Sequence, residues 1–200
     1  MKKISIGIDI GGTNTAIGVV DSEGQVLVSD SMATPTHGDI YKYISDLAET
    51  VKHLIHSVTS LNSEIQILGI GIGAPNANYY KGTIEHAPNL SFKGVVPFVA
   101  KLKAHFPQEY AIALTNDANA AAIGEMVYGG AKGMKNFVMY TLGTGVGSGI
   151  VVNGQLVYSA DGNAGECGHV TIIPEGRFCG CGSRSYRSLL LSARNEANSF

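Results

Sequence analysis

The chain has 200 residues, 26 of them glycine and only 6 proline, with a net charge of −2. That length allows one large domain or two small ones with an ample core, and the near-neutral charge gives no support for nucleic-acid or membrane-surface binding. No signal-peptide block follows Met1-Lys2-Lys3, no apolar run is long enough to cross a bilayer, and three cysteines without an obvious disulfide spacing fit a reducing cytoplasm.

In chain order, Lys3-Ile4-Ser5-Ile6-Gly7-Ile8 reads as a buried strand. It runs into Asp9-Ile10-Gly11-Gly12-Thr13-Asn14, and Thr15-Ala16-Ile17-Gly18-Val19-Val20 leaves as a second strand. Adjacent glycines let bare backbone N–H groups face an anion, the Thr13 hydroxyl adds a donor, and Asp9 can hold a metal ion directly or through water. Phosphate donors beside a carboxylate suit a magnesium–nucleotide site. Two other phosphate loops fail here. Gly7 and Gly12 have the Walker spacing, but Thr13 stands where lysine is required, and a dinucleotide fingerprint would open a helix rather than a strand. An ordinary Gly-rich hairpin remains the alternative.

Asp21-Ser22-Glu23-Gly24 is a turn, and Val26-Leu27-Val28 returns as a third strand. Asp39 caps a helix carrying Ile40, Ile44, Leu47, Val51, Leu54 or Ile55, and Val58 at three- and four-residue steps. The run from Ile65 to Ile72 is a buried strand ending in Gly73-Ala74-Pro75-Asn76. Residues 96–106 form a helix with Pro97 near its first turn. Ala111-Ile112-Ala113-Leu114 is a strand ending at Thr115-Asn116-Asp117, and a helix over 118–128 is stopped by Gly129-Gly130. Phe137-Val138-Met139-Tyr140 then opens a second strand–glycine turn–strand unit, with residues 141–149 as its turn and Ile150-Val151-Val152 leaving it. Asn153-Gly154 is a hairpin turn to Gln155-Leu156-Val157-Tyr158. The repeated plan predicts two lobes, each offering a phosphate-gripping hairpin to one cleft. The expected division is an N-terminal α/β lobe, residues 1–116, and an incomplete C-terminal lobe, residues 117–200.

The duplicated plan is that of the actin, heat-shock ATPase and sugar-kinase superfamily, an actin-like ATPase or ribonuclease H-like α/β fold with its first lobe complete and its second partial. Within it, five pieces resemble the ROK family in that family's own order. They are Asp9-Ile10-Gly11-Gly12-Thr13, Asn116-Asp117-Ala118-Asn119-Ala120, Thr141-Leu142-Gly143-Thr144-Gly145-Val146-Gly147-Ser148-Gly149, Glu166-Cys167-Gly168-His169 and Cys179-Gly180-Cys181. The likeness runs from residue 3 to about residue 182. The family comprises bacterial sugar kinases, among them glucokinase and kinases of N-acetylglucosamine, N-acetylmannosamine and fructose, and related transcriptional repressors. The resemblance implies Asp117 as the base that takes the proton from the sugar's primary hydroxyl. It implies Asp9, Gly11, Gly12, Thr13, Asn14, Gly143, Thr144, Gly145 and Gly147 as the ATP and magnesium hairpins. Sugar recognition falls to Asn89, Asn116, Glu166 and His169, although Pro88-Asn89-Leu90 also reads as a plain turn. His169, Cys179 and Cys181 match three ligands of a structural zinc site. Cys167 matches none.

The pattern then breaks. Tyr186 stands where the last zinc ligand is expected and Ser188 where a sugar-binding glutamate is expected. Codons for residues 184–191 can be chosen so that another frame resembles the family's continuation, so residues 183–200 are expected to be an aberrant, frameshifted tail without function. The expected activity is ATP-dependent phosphorylation of a hexose, glucose first, with N-acetylglucosamine and N-acetylmannosamine as alternatives and ATP or polyphosphate as donor. The chain as it stands is expected to be weakly active or inactive. A non-catalytic sugar-binding remnant is the competing reading. A repressor is disfavoured because the phosphate hairpin begins at residue 9, leaving no room for a preceding helix-turn-helix. A homodimer is expected for the complete family member, in the cytoplasm, with a hexose as substrate and neither nucleic acid nor membrane as partner.

Overall fold

In the computed structural model, β1 (Lys2–Ile10) and β2 (Asn14–Asp21) pair antiparallel on either side of residues 11–13. The structure describes residues 1–35, 39–60, 64–143, 145–162, 164–175, 178 and 182. They divide into two compact units, Met1–Asp117 and Ala118–Phe200.

In the first unit, β3 (Val26–Ala33), β4 (Ile65–Gly73) and β8 (Ala111–Thr115) join β1 and β2 in a five-stranded sheet of order β3-β2-β1-β4-β8. β4 runs parallel to β1 and β8 parallel to β4. β1 is buried on one face only. Alternate residues point to opposite faces, so Ile4, Ile6, Ile8 and Ile10 enter the core while Gly7 and Asp9 stay exposed.

The core is closed by α1 (Ile40–Thr59), whose first turn is capped by the Asp39 carboxylate accepting from the Tyr41 amide at 2.8 Å. Its buried stripe is Tyr43, Ile44, Leu47, Ala48, Val51 and Leu54, with Lys42 and Asp46 paired on the outer face at 2.8 Å. The helix expected over 96–106 is shorter, α2 (Phe98–Lys103). Val95–Val96 is instead taken as β7, pairing with β6 (Thr83–Glu85), which also pairs with β5 (Ala77–Asn78). At the far end the His105 and Phe106 amides reach back only three residues, to the Leu102 and Lys103 carbonyls, and Pro107 bars helical geometry at Phe106.

In the second unit, β9 (Phe137–Leu142), β10 (Val146–Val152) and β11 (Gln155–Leu156) form a three-stranded sheet. The helix α3 (Asp117–Val127) begins on the last residue of the first unit. The second glycine turn is much tighter than expected. Leu142 pairs with Val146, so the turn is residues 143–145 and most of the Gly-rich run is strand. Gly147 and Gly149 lie in β10, where a Cβ would come 2.9 Å from the Ala118 Cβ and 2.6 Å from the Ala122 Cβ. Close packing of strand on helix thus accounts for both glycines. Asn153 and Gly154 have φ of 53° and 74°, the paired left-handed geometry that turns β10 into β11.

Candidate functional site

The three parallel strands of the first unit end side by side. Asp9 of β1 is in register with Gly73 of β4, and Gly73 with Thr115 of β8. The chain leaves these ends as Gly11-Gly12-Thr13, as Ala74-Pro75-Asn76 and as Asn116-Asp117. In open α/β sheets ligands lie outside the carboxyl ends of the strands, because loops there can converge without disturbing the core. All of the sequence-predicted residues of this unit except Asn89 therefore stand at one sheet edge.

Asn89 is brought there by contact. A Cβ on Gly12 would come 2.9 Å from the Asn89 carbonyl oxygen and 3.4 Å from its Cβ, so only glycine lets the turn lie against residue 89. The turn is closed by the Gly11 amide donating to the Asn14 carbonyl at 2.9 Å. Its base is held by the Thr34 amide, which donates to the Thr13 carbonyl at 2.9 Å. Beneath lies a buried hydroxyl cluster: the Thr15 Oγ1 is 2.8 Å from the Thr34 Oγ1 and 2.6 Å from the Tyr43 hydroxyl. Tyr43 falls on the buried face of α1, three residues after Ile40 and four before Leu47, but no spacing in the sequence points to the partners of its hydroxyl.

Asp9 keeps an exposed side, yet the protein around it and, second, the negative charge of Asp117 raise its carboxyl above the usual carboxylate range. Two carboxylates that repel each other are the donor set a divalent cation relieves, and magnesium needs only one or two from the protein when phosphates supply the rest. Among the described residues no group of three or more His, Cys, Asp or Glu is placed to hold a metal. The raised value has a stability consequence. Its contribution favours folding fully below the unfolded carboxylate value and is lost as pH rises through the folded one. Asp9→Asn is therefore expected to raise the thermal midpoint near pH ~7 and to leave it unchanged near pH ~3. Melts at the two pH values check this. A lowered midpoint at neutral pH would show the carboxylate to be stabilising instead.

In the second unit Gly143 is exposed, and its amide donates to the Gly145 carbonyl at 3.0 Å. Thr144 lies outside the described residues. Glu166 precedes a short 3₁₀ turn, Cys167–His169, and its Oε2 is 3.6 Å from the His169 Nε2. The other ring nitrogen, Nδ1, is buried without a hydrogen-bond partner among the described residues. That is the state of a nitrogen fitted to a metal, although Cys179 and Cys181, its expected co-ligands, lie outside the described residues. Cys167 is a free, half-buried thiol. No helix among the described residues is long and apolar enough to cross a membrane.

A parallel sheet edge with an antiparallel hairpin leading into it, and acidic side chains at the strand ends, defines the actin-like ATPase fold. Within that fold the chain belongs to the ROK family, which it matches over residues 5–194, past the point where the sequence pattern breaks. It is similar to the glucokinase of Streptomyces coelicolor, 36% identical over 203 aligned residues that cover 98% of this chain and 60% of that protein. It is also similar to a xylose repressor of Bacillus subtilis, at 30% identity over 95% of this chain and 48% of the repressor. The solved structure of a ROK family glucokinase from Streptomyces griseus, in complex with glucose and AMPPNP, superposes with a TM-score of 0.74 at 31% identity, covering 98% of this chain and 62% of that one. The chain thus spans about 60% of the length of the glucokinases it matches.

Proposed function

We propose that the chain serves ATP-dependent phosphorylation of the primary hydroxyl of a hexose, glucose in first place, with only weak turnover in these 200 residues. The observation that carries this reading is the strand-end edge of the first unit, where the raised Asp9 carboxyl, the Gly11-Gly12-Thr13 turn, Asn89 and Asn116-Asp117 meet. Asp117 opens α3 and is exposed, so its carboxylate can take the proton that a sugar hydroxyl loses on attacking phosphorus. The backbone amides of the turn and the Thr13 hydroxyl suit phosphate oxygens, and Asp9 would hold the magnesium ion, which supplies charge neutralisation between the phosphates. Asn89, Asn116, Glu166 and His169 offer paired donors and acceptors of the kind that vicinal sugar hydroxyls require. Zinc at His169, with Cys179 and Cys181, would fix the orientation of the imidazole ring.

The likeness to a xylose repressor supports a second reading, a sugar-binding regulator without turnover. Calorimetry with glucose and with Mg-ATP separately, followed by an ADP-release assay with both, separates the two. The kinase reading expects both ligands to bind and ADP to form only with glucose present. Glucose binding without any response to Mg-ATP supports the regulator. Binding of neither ligand overturns both.

A further inference from the structure

Ser148 is the last of three hydroxyl residues in the second glycine-rich run, on β10 and only 4% exposed. It is three residues beyond the turn at 143–145. Its Oγ hydrogen-bonds the Gly165 carbonyl and accepts from the Cys167 amide at 3.1 Å. One hydroxyl therefore acts as donor on one side of Glu166 and as acceptor on the other. The backbone at these points leaves little room for displacement. Gly165 has φ of +90°, and a Cβ there would meet the Ser148 carbonyl oxygen at 2.7 Å. A Cβ on Gly168 would meet the Val146 carbonyl oxygen at 2.2 Å. The segment 165–168 is thus laid directly on β10 with no side chain between.

What this segment carries gives the contact its meaning. The His169 amide donates to the Glu166 carbonyl at 3.0 Å and the Val170 amide to the Cys167 carbonyl at 3.2 Å, so the 3₁₀ turn moves as one piece with Glu166. Glu166 is exposed, while the His169 Nδ1 is buried and has no hydrogen-bond partner among the described residues. Among the described residues, the contact between these two side chains is a loose one of 3.6 Å. Their placement comes from the backbone, and the backbone is tied to β10 through Ser148.

We propose that Ser148 is a positioning residue of the sugar site, its hydroxyl setting where Glu166 and His169 stand relative to the strand that leaves the second glycine turn. This rests on the kinase reading above. The phosphate-side turn and the sugar-side pair then share one strand, and one side chain couples them.

The test uses the whole chain, its Ser148→Ala variant and its Ser148→Thr variant, with glucose and Mg-ATP as probes. Ser148→Ala is expected to speed hydrogen exchange at the Cys167 amide, which loses its acceptor. It should also weaken glucose binding about fivefold, the net worth of one ordinary hydrogen bond, with Mg-ATP affinity within about twofold of the unchanged chain. Ser148→Thr keeps the hydroxyl and is expected to restore both exchange and glucose affinity. Faster Cys167 exchange with unchanged glucose affinity overturns the proposal while leaving the kinase reading intact. Equal weakening of both ligands also overturns it, since that marks general loosening of the fold. If the unchanged chain binds no glucose, the kinase reading falls and the proposal falls with it.

Discussion

Asp117→Asn is expected to lower phosphoryl transfer about 10³-fold while glucose and Mg-ATP affinities change by less than about threefold. The carboxamide has the same shape and can still bond a hydroxyl, but it cannot take the proton that the attacking oxygen must lose. The competing role for Asp117 is structural, because it is the acidic residue in the first turn of α3, where a negative charge favours the helix. Asparagine gives up that charge at a cost of under about 1 kcal/mol, which relief of the repulsion on Asp9 offsets, so a purely structural Asp117 predicts nearly full turnover in the variant. A second readout separates the roles further. The Asp117 charge helps to raise Asp9, so removing it moves the Asp9 carboxyl back toward its ordinary value. The variant is therefore expected to be no less stable at neutral pH than the parent. ADP release within tenfold of the parent's would sink the assignment of Asp117 as the base.

The elements legible in the sequence are those whose pattern is long and whose cap is local. Asp39 and the period of α1 locate that helix, and the isoleucines of β1 with Gly11-Gly12-Thr13 locate the first hairpin. Asn153-Gly154 announces its turn because both residues must take left-handed backbone angles. What escaped has a physical reason in each case. Strands β5, β6 and β7 are two or three residues long, too short for alternation to show, and β7 removes Val96 from the expected helix. The second turn reads too long because glycine serves two purposes in that run, bending the chain at 143–145 and admitting α3 against β10 at Gly147 and Gly149. Sequence cannot separate those purposes. The supporting residues were equally hidden. Tyr43 and Ser148 act through hydroxyls on partners 28 and 17 residues away, and no local spacing encodes such pairs.

Phe98→Ala should produce the largest loss of stability in the first unit, and it should reach the phosphate turn. Phe98 is fully buried at the start of α2, its ring 6.5 Å from that of Tyr43 and tilted by 54°. Tyr43 is held from another side by Phe92, stacked at 6.1 Å. From Tyr43 the linkage runs through Thr15 and Thr34 to the Thr13 carbonyl of the turn. Removing a buried phenyl ring costs about 3–5 kcal/mol, because transfer energy is lost and a cavity remains. Against a usual total of about 5–15 kcal/mol that is a large fraction, and it corresponds to a fall in thermal midpoint of about 10 °C or more. Tyr43→Phe supplies the contrast. It keeps the ring and removes one hydroxyl, leaving Thr15 and Thr34 to satisfy each other, so it should cost only about 1 kcal/mol. Both variants are expected to weaken Mg-ATP binding, since both release the base of the turn, but only Phe98→Ala should also shift the melt strongly. A midpoint for Phe98→Ala within about 2 °C of the parent's would mean that the cavity collapses at little cost, and the aromatic cluster would then not be what holds the hairpin in place.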